Sequence, residues 1–466
     1  MRPLFLLLLL LVLHNCSLKA AVEETTPFLL QLNKPALVDF YLEQQNKGLT
    51  GKALKKTVKD YANQLSIEQE TLSEYLNTYN IIITKRFKRI INAVRINVSP
   101  KTAQSLRSLL NVKKVEKPRS YSFLTKKSVP AVGAKKAWGK QQTGFDGEGV
   151  RVAVIDSGID YTHAMFGGAG TKDAYLENDP STIEKDSFPT SKVGGWDFAG
   201  KNYRGANDEP QPDADPLDRS GYGHGTHVAG ILAGIGVTTA EKPYKGQYYS
   251  DLDYDGFKIR PGVAPKAKLF ALKVFGDNAL GSTGVVLDAL EWCVDPNKDN
   301  QFDDRMDVVN LSLGSTLGLE EKKEIEAEAF RNLTRIGCVV VSASGNSNNN
   351  NFYLVSAPGV ERSVICVGAT KQEGETQRIA ALSARGPSSP YSLLKPEIVA
   401  PGELIQSAKM GTGFEGSWLN GSSLSTAHVS GAAALALQAR PNWSAAEIQA
   451  LLLNPATHIS NEDGLV

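Results

Sequence analysis

The spacing of apolar residues changes character several times along the chain. Leu4 to Leu13 is an almost unbroken apolar run behind Arg2. Phe28 to Leu32 reads as a strand. Leu54, Val58, Tyr61, Leu65, Leu72 and Leu76 then recur at mostly helical spacing, which predicts an amphipathic helix over residues 51–76. Ile81–Thr84 and Ala93–Val98 read as further strands. Ser99-Pro100 sets a capping hydroxyl before a proline at the first helical position, so a second helix is expected there, with Leu106, Leu109 and Leu110 on its buried face. Val112–Lys117 closes the segment as a short strand. Residues 26–120 therefore read as a small α+β unit, and residues 121–135, polar and without a clear period, as a linker.

From residue 149 onward the pattern alternates. Val150–Asp156, Ala267–Phe275, Val308–Gly314, Cys338–Asn346 and Ser363–Ala369 read as strands. Helices are expected from His224, over Gly284–Val294, over Glu320–Ile336 and over Leu424–Arg440. Strands alternating with helices predict an α/β unit, residues 136–466, with a parallel sheet covered on both faces.

Charge sharpens the division. The chain carries 51 basic and 50 acidic residues, but residues 21–125 hold 17 basic against 9 acidic, and residues 126–466 hold 32 against 41. A basic piece thus precedes an acidic one, and the two signs would attract. No basic stripe is interleaved with aromatics, so nucleic acid is not an expected partner. The basic head, short apolar run and small pair Ala20-Ala21 describe a secretory signal peptide over residues 1–21. A secreted location follows, extracellular, periplasmic or in the cell envelope, with no stable membrane span once the signal is removed. Cys293, Cys338 and Cys366 remain. An odd count argues against a disulfide framework, and their apolar surroundings predict small buried hydrophobes.

Ligands of doubly wound sheets gather at the carboxyl ends of the strands. Four polar residues stand at strand ends or helix starts: Asp156, His224, Asn346 and Ser423. A serine hydroxyl is a weak nucleophile that needs a base. An imidazole can take its proton, and a buried carboxylate can fix the imidazole tautomer. An oxyanion needs preorganised donors, and an Asn amide with a backbone N–H at a helix N-terminus would supply them. His227 and His428 read as packing residues.

The motifs carrying these residues, Val154-IDSGID, Gly223-HGTHVAG, Ser342-ASGN and Gly421-SSLSTAHVSG, resemble those of the subtilisin-like serine proteases in the same order. The resemblance implies that Asp156 orients His224, that His224 is general base and then acid, that Ser423 attacks the peptide carbonyl, and that Asn346 holds the oxyanion. It also implies a zymogen, with residues 26–120 as an inhibitor-type propeptide and polypeptides as substrates. Ser312, Leu313 and Gly314 resemble one wall of the substrate cleft and Gly281 the other, so an extended peptide would bind as an added strand. No cofactor is implied for catalysis. Asp295, Asn297, Asp299 and Asp303 offer alternating oxygens in one loop, which suits a structural calcium ion.

The resemblance is imperfect at the serine. Ser422 stands where Thr is usual, Leu424 where Met, Ser425 where Ala, and Ala427 where Pro. Ala427 restores a helix N–H that proline lacks, and one reading that follows is a shifted Ser423 that favours acyl transfer to an amine. A silent binding protein with the intact fold is the other class of reading. Members of the family often continue past the point at which this chain ends, Val466, which leaves a further C-terminal piece open.

Overall fold

A computed structural model of the chain describes residues 25–459 except 119, 124–132, 141–143, 180–181, 185, 316–324, 348–351, 374–375 and 390–391. The signal-peptide expectation and most of the linker lie outside the described residues.

The first element is β1 (Thr26–Leu32), followed by α1 (Leu37–Asn46) and α2 (Gly51–Asn77). Then come β2 (Ile83–Phe87), β3 (Ala93–Val98), α3 (Pro100–Leu106) and β4 (Val112–Glu116). The four strands form one antiparallel sheet in the order β2-β3-β1-β4. The expected stripe on α2 is buried: Leu54, Val58, Tyr61, Leu65, Leu72 and Leu76. Ser99 caps α3 by accepting from the Thr102 N–H, with Pro100 behind it, as the sequence predicts. Leu110 corrects the reading of that helix. The helix stops at Leu106, so Leu110 falls beyond its last turn and is 97% exposed.

The linker also departs from expectation. It opens with a strand, β5 (Ser120–Phe123). An extended conformation there depends on distant partners, β9 and β11 below, and local pattern carries no sign of it.

The larger sheet starts with β6 (Arg151–Asp156) and β7 (Val193–Asp197). α4 (His224–Ala233), β8 (Lys268–Lys273), β9 (Gly281–Ser282) and α5 (Thr283–Val294) follow. Next are β10 (Val308–Leu311), β11 (Leu313–Gly314), α6 (Ile325–Arg335), β12 (Val339–Ala343), β13 (Ile365–Glu373), β14 (Thr376–Ile379) and β15 (Ile398–Pro401). The chain closes with α7 (Ser422–Ala439) and α8 (Ala445–Leu453). The sheet order is β14-β13-β12-β10-β6-β8-β7, with β15 also beside β13. All pairs are parallel except the β13–β14 edge. Its inner strands β6, β10 and β12 are buried and rich in Val, as parallel strands covered by helices must be. β6 lies inside the sheet between β10 and β8, and the chain runs from it first to the β8–β7 side and later to the β10 side, so its carboxyl end is at the switch point where ligands gather.

The two sheets are not detached bodies. One apolar cluster runs from Leu29, Val58 and Tyr61 of the first into Leu287, Leu290 and Phe330 of the second. Cys293, Cys338 and Cys366 are free and buried, as expected, and burial pushes the Cys338 thiol up to about 12. Among the described residues no helix is long and apolar enough to cross a membrane.

Candidate active site

β6 ends on Asp156, which is fully buried. Both its oxygens accept from His224 Nδ1, at 2.8 and 3.0 Å. A carboxylate can only accept, so this contact puts the proton on Nδ1 and leaves Nε2 basic. His224 is the first residue of α4, preceded by Gly223 in the left-handed region at φ +60. A Cβ on Gly223 would also meet the Met410 side chain at 2.5 Å. Gly225 permits a second close approach, since a Cβ there would lie 2.2 Å from the Gly158 carbonyl oxygen. The glycines of this motif therefore let the first turn of α4 press against the end of β6.

Three residues that the sequence reading missed tie the two together. Ser157 Oγ accepts from the Gly225 N–H at 2.9 Å. Asp218 accepts from the Thr226 N–H at 3.1 Å and its hydroxyl at 2.8 Å, and Thr226 Oγ1 in turn accepts from the Asp160 N–H at 2.9 Å. Burial pushes Asp218 up to about 7, against the Thr226 hydrogen bonds that favour its ionised form. His227 and His428 pack as expected: His227 Nε2 meets the Ser417 carbonyl oxygen and His428 Nδ1 that of Leu424.

Ser423 lies in the first turn of α7, buried. Its hydroxyl donates to the Ser312 carbonyl oxygen at 3.0 Å, and Ser312 Oγ donates to the Ser423 carbonyl oxygen at 2.8 Å. Asn310 steadies this pair by donating to Ser312 Oγ at 3.0 Å. α7 runs unbroken through Ala427, which is buried, so the alanine leaves Ser423 on a regular helix start. Asn346 Oδ1 accepts from the Ser422 N–H at 3.0 Å, while its Nδ2 is buried and has no hydrogen-bond partner among the described residues. The carboxamide is thus anchored by its oxygen and keeps a donor pair in reserve beside an α-helix N-terminus, where negative charge is favoured.

The expected cleft walls are β9, with Gly281, and β11, with Leu313 and Gly314 just after Ser312. β5 lies between them, antiparallel to both. Tyr121 is opposite Gly281 and Ser120 opposite Ser282, while Phe123 is opposite Leu313 and Ser122 opposite Gly314. β5 thus lies as an added strand between the two expected walls.

Beyond the cleft, the basic unit is held by an acidic face of α5. Glu291, 6% exposed, accepts from three backbone N–H groups, those of Lys88, Arg89 and Ile90, at 2.8, 2.7 and 3.1 Å. Asp288 pairs with Lys85 and Arg95 at 3.0 and 3.3 Å. Asp295 pairs with Arg89.

That last pair bears on calcium. Asp295 spends its oxygens on Arg89 and on the N–H groups of Asp299 and Asn300. Asn297 Oδ1 accepts from the Asp299 N–H and Asp299 Oδ1 from the Gln301 N–H, both at 2.8 Å. Asp303 is exposed and faces Lys55 at 3.7 Å. The four oxygen donors serve turns and cations of the protein itself and do not fit a calcium ion as they stand. Among the described residues no group of three or more acidic, His or Cys side chains is gathered to hold a metal.

The sequence pattern described as the Subtilase family matches residues 147–465. An alkaline protease of Alkalihalobacillus alcalophilus is 28% identical over 459 residues, which is 97% of this chain and 92% of that protein. Subtilisin E of Bacillus subtilis (strain 168) is 29% identical over 382 residues, 81% of this chain and 79% of its own. The solved structure of Sphericase is 24% identical with a TM-score of 0.48, covering 70% of this chain and 89% of that one.

Proposed function

The chain belongs to the subtilase family and is homologous to bacterial subtilisins and alkaline proteases, and from that premise we propose that it is a secreted serine endopeptidase made as a zymogen. The catalytic unit, residues 136–466, has the subtilisin-like α/β fold with a parallel-sheet core. Residues 1–21 are the signal peptide. Residues 26–120 are the propeptide that occupies and blocks the unit it precedes, and residues 121–135 are the segment cut in maturation.

The observation that carries this reading is the buried Asp156–His224 pair at the carboxyl end of β6. With its proton on Nδ1, His224 offers Nε2 as the base for Ser423. The Ser423 oxygen attacks the carbonyl carbon of the bound peptide, and the imidazolium so formed is stabilised by Asp156. The oxyanion takes hydrogen bonds from Asn346 Nδ2 and from the backbone N–H of Ser423. His224 then passes its proton to the leaving amine, and water hydrolyses the acyl ester by the same route in reverse. β9 and β11 bind the peptide through main-chain hydrogen bonds, which tolerates many sequences.

Intact masses of refolded wild type and Ser423→Ala test the reading. Loss of the basic N-terminal fragment from wild type only is expected. If both stay full length though folded, Ser423 does not cut this chain and the silent binding protein takes precedence.

A further inference from the structure

We propose that Asp218 is a positioning residue for His224 that works in its ionised form, so that its protonation sets the acid limit of the reaction. The proposal rests on the reading above that His224 is the base and Ser423 the nucleophile. Asp218 is fully buried, in the loop between β7 and α4. Its side chain sits in a cradle of donors. Oδ2 accepts from the Thr226 N–H at 3.1 Å and the Thr226 hydroxyl at 2.8 Å. Oδ1 accepts from the Ser220 N–H at 3.3 Å and the Ser220 hydroxyl at 3.1 Å. The Ser157 hydroxyl is a further hydrogen-bond partner. An ionised carboxylate only accepts, whereas a carboxylic acid carries a proton that must itself be donated. The two backbone N–H groups cannot take that proton, so protonation would force a hydroxyl to turn round or cost a bond. The cradle therefore fits the anion.

What the anion holds is the mounting of the base. Thr226 is in the first turn of α4, two residues after His224. Ser157 follows Asp156 at the end of β6, donates its N–H to Asp156 Oδ1 at 2.8 Å and accepts from the Gly225 N–H at 2.9 Å. Asp218 thus joins the helix that carries the imidazole to the strand that carries its carboxylate. The charged and titratable groups around it are Asp156 on β6, Lys273 on β8 and Tyr175. Asp160 spends its carboxylate on Thr162 and Gly411, and Arg219 turns to the carbonyl oxygens of Tyr175 and Asn178. Burial, with the Asp156 charge adding to it, pushes Asp218 up to about 7, against the Thr226 hydrogen bonds. The carboxyl is ionised above that pH and gains a proton as pH falls through it. The imidazolium formed during attack offsets both negative charges, so the ionised form also favours the proton transfer.

Cleavage of a chromogenic peptide amide against pH, by enzyme matured from the full chain, tests the proposal. In wild type kcat/KM should fall as pH drops through about 7. Asp218→Asn keeps the shape of the side chain and removes its titration. Above the acid limb its kcat should be lower by up to about 10², the scale of a small misplacement near the chemistry, with KM within about twofold. Its acid limb should also move to lower pH. Thr226→Val takes one donor from the anion, so its limb should move to higher pH. A limb that stays in place in both variants overturns the proposal, as does a loss in Asp218→Asn that falls on KM alone. Neither result touches the protease reading. Should Asp218→Asn fail to fold, Thr226→Val decides alone, and a limb that does not move upward overturns the proposal. Wild type that cleaves no peptide, or no more than Ser423→Ala does, overturns both the proposal and the reading beneath it.

Discussion

At Asn346 one carboxamide is asked for two things. Its oxygen holds the Ser422 N–H, and its nitrogen has no partner among the described residues. Asn346→Ala removes the proposed oxyanion donor while leaving Asp156 and His224 untouched. Steady-state kinetics on a peptide substrate should show kcat lower by roughly 10²–10³ with KM little changed, the range for losing one such donor. An equal loss spread over KM would mean that the amide serves ground-state binding. This candidate residue was legible in the sequence, as were Asp156, His224 and Ser423, because each stands at a strand end or helix start beside glycine. Ser157, Asp218 and Thr226 were not. A Ser, Thr or Asp in a loop looks like any turn residue until its tertiary partner is known.

Among elements, α5 has the most to lose. Its Glu291 is the acceptor for three consecutive N–H groups of the β2–β3 turn. Glu291→Ala would leave these donors facing apolar surface at a cost on the order of 3 kcal/mol in all, about a hundredfold in local opening. Hydrogen exchange on the full-length Ser423→Ala chain should show faster exchange at Lys88, Arg89 and Ile90, and unchanged exchange along β6. Sequence pattern foresaw α2 and the parallel strands, whose stripes and runs are long. It missed α1, where only Leu37 and Val38 are buried, and β5, whose extended form is imposed by residues far along the chain. The charge asymmetry was visible, but its use as a row of specific pairs along α5 was not, since the pairing depends on which helix face the fold presents.

For the molecule as a whole, acid is the revealing stress. Burial holds His227 down to about 3 and His428 to about 4. In the unfolded chain both titrate near about 6.5. Between those values the unfolded state binds protons that the folded state refuses. The stability they contribute is complete above pH 6.5 or so and is lost as pH falls, by about 1.4 kcal/mol per pH unit for each histidine. Asp215 and Asp218, which burial pushes up to about 7, act in the opposite direction. The comparison is therefore between Ser423→Ala and the same chain with His428→Gln. Thermal melts from pH 4 to 7 should show that the slope of Tm against pH is lower in the second, shifted by one proton's worth toward greater relative stability in acid.

β5 lying between β9 and β11 also sets the order of the kinetics. On the proposed zymogen reading the segment is tied to the enzyme that cuts it and is present at an effective concentration in the millimolar range, however dilute the solution. Its cleavage is then a unimolecular event, and the half-time of the first cut should be the same at nanomolar and micromolar protein. Any other polypeptide competes from solution against that tethered strand, so digestion of added substrate should begin only after a lag. Dilution should leave the length of that lag unchanged.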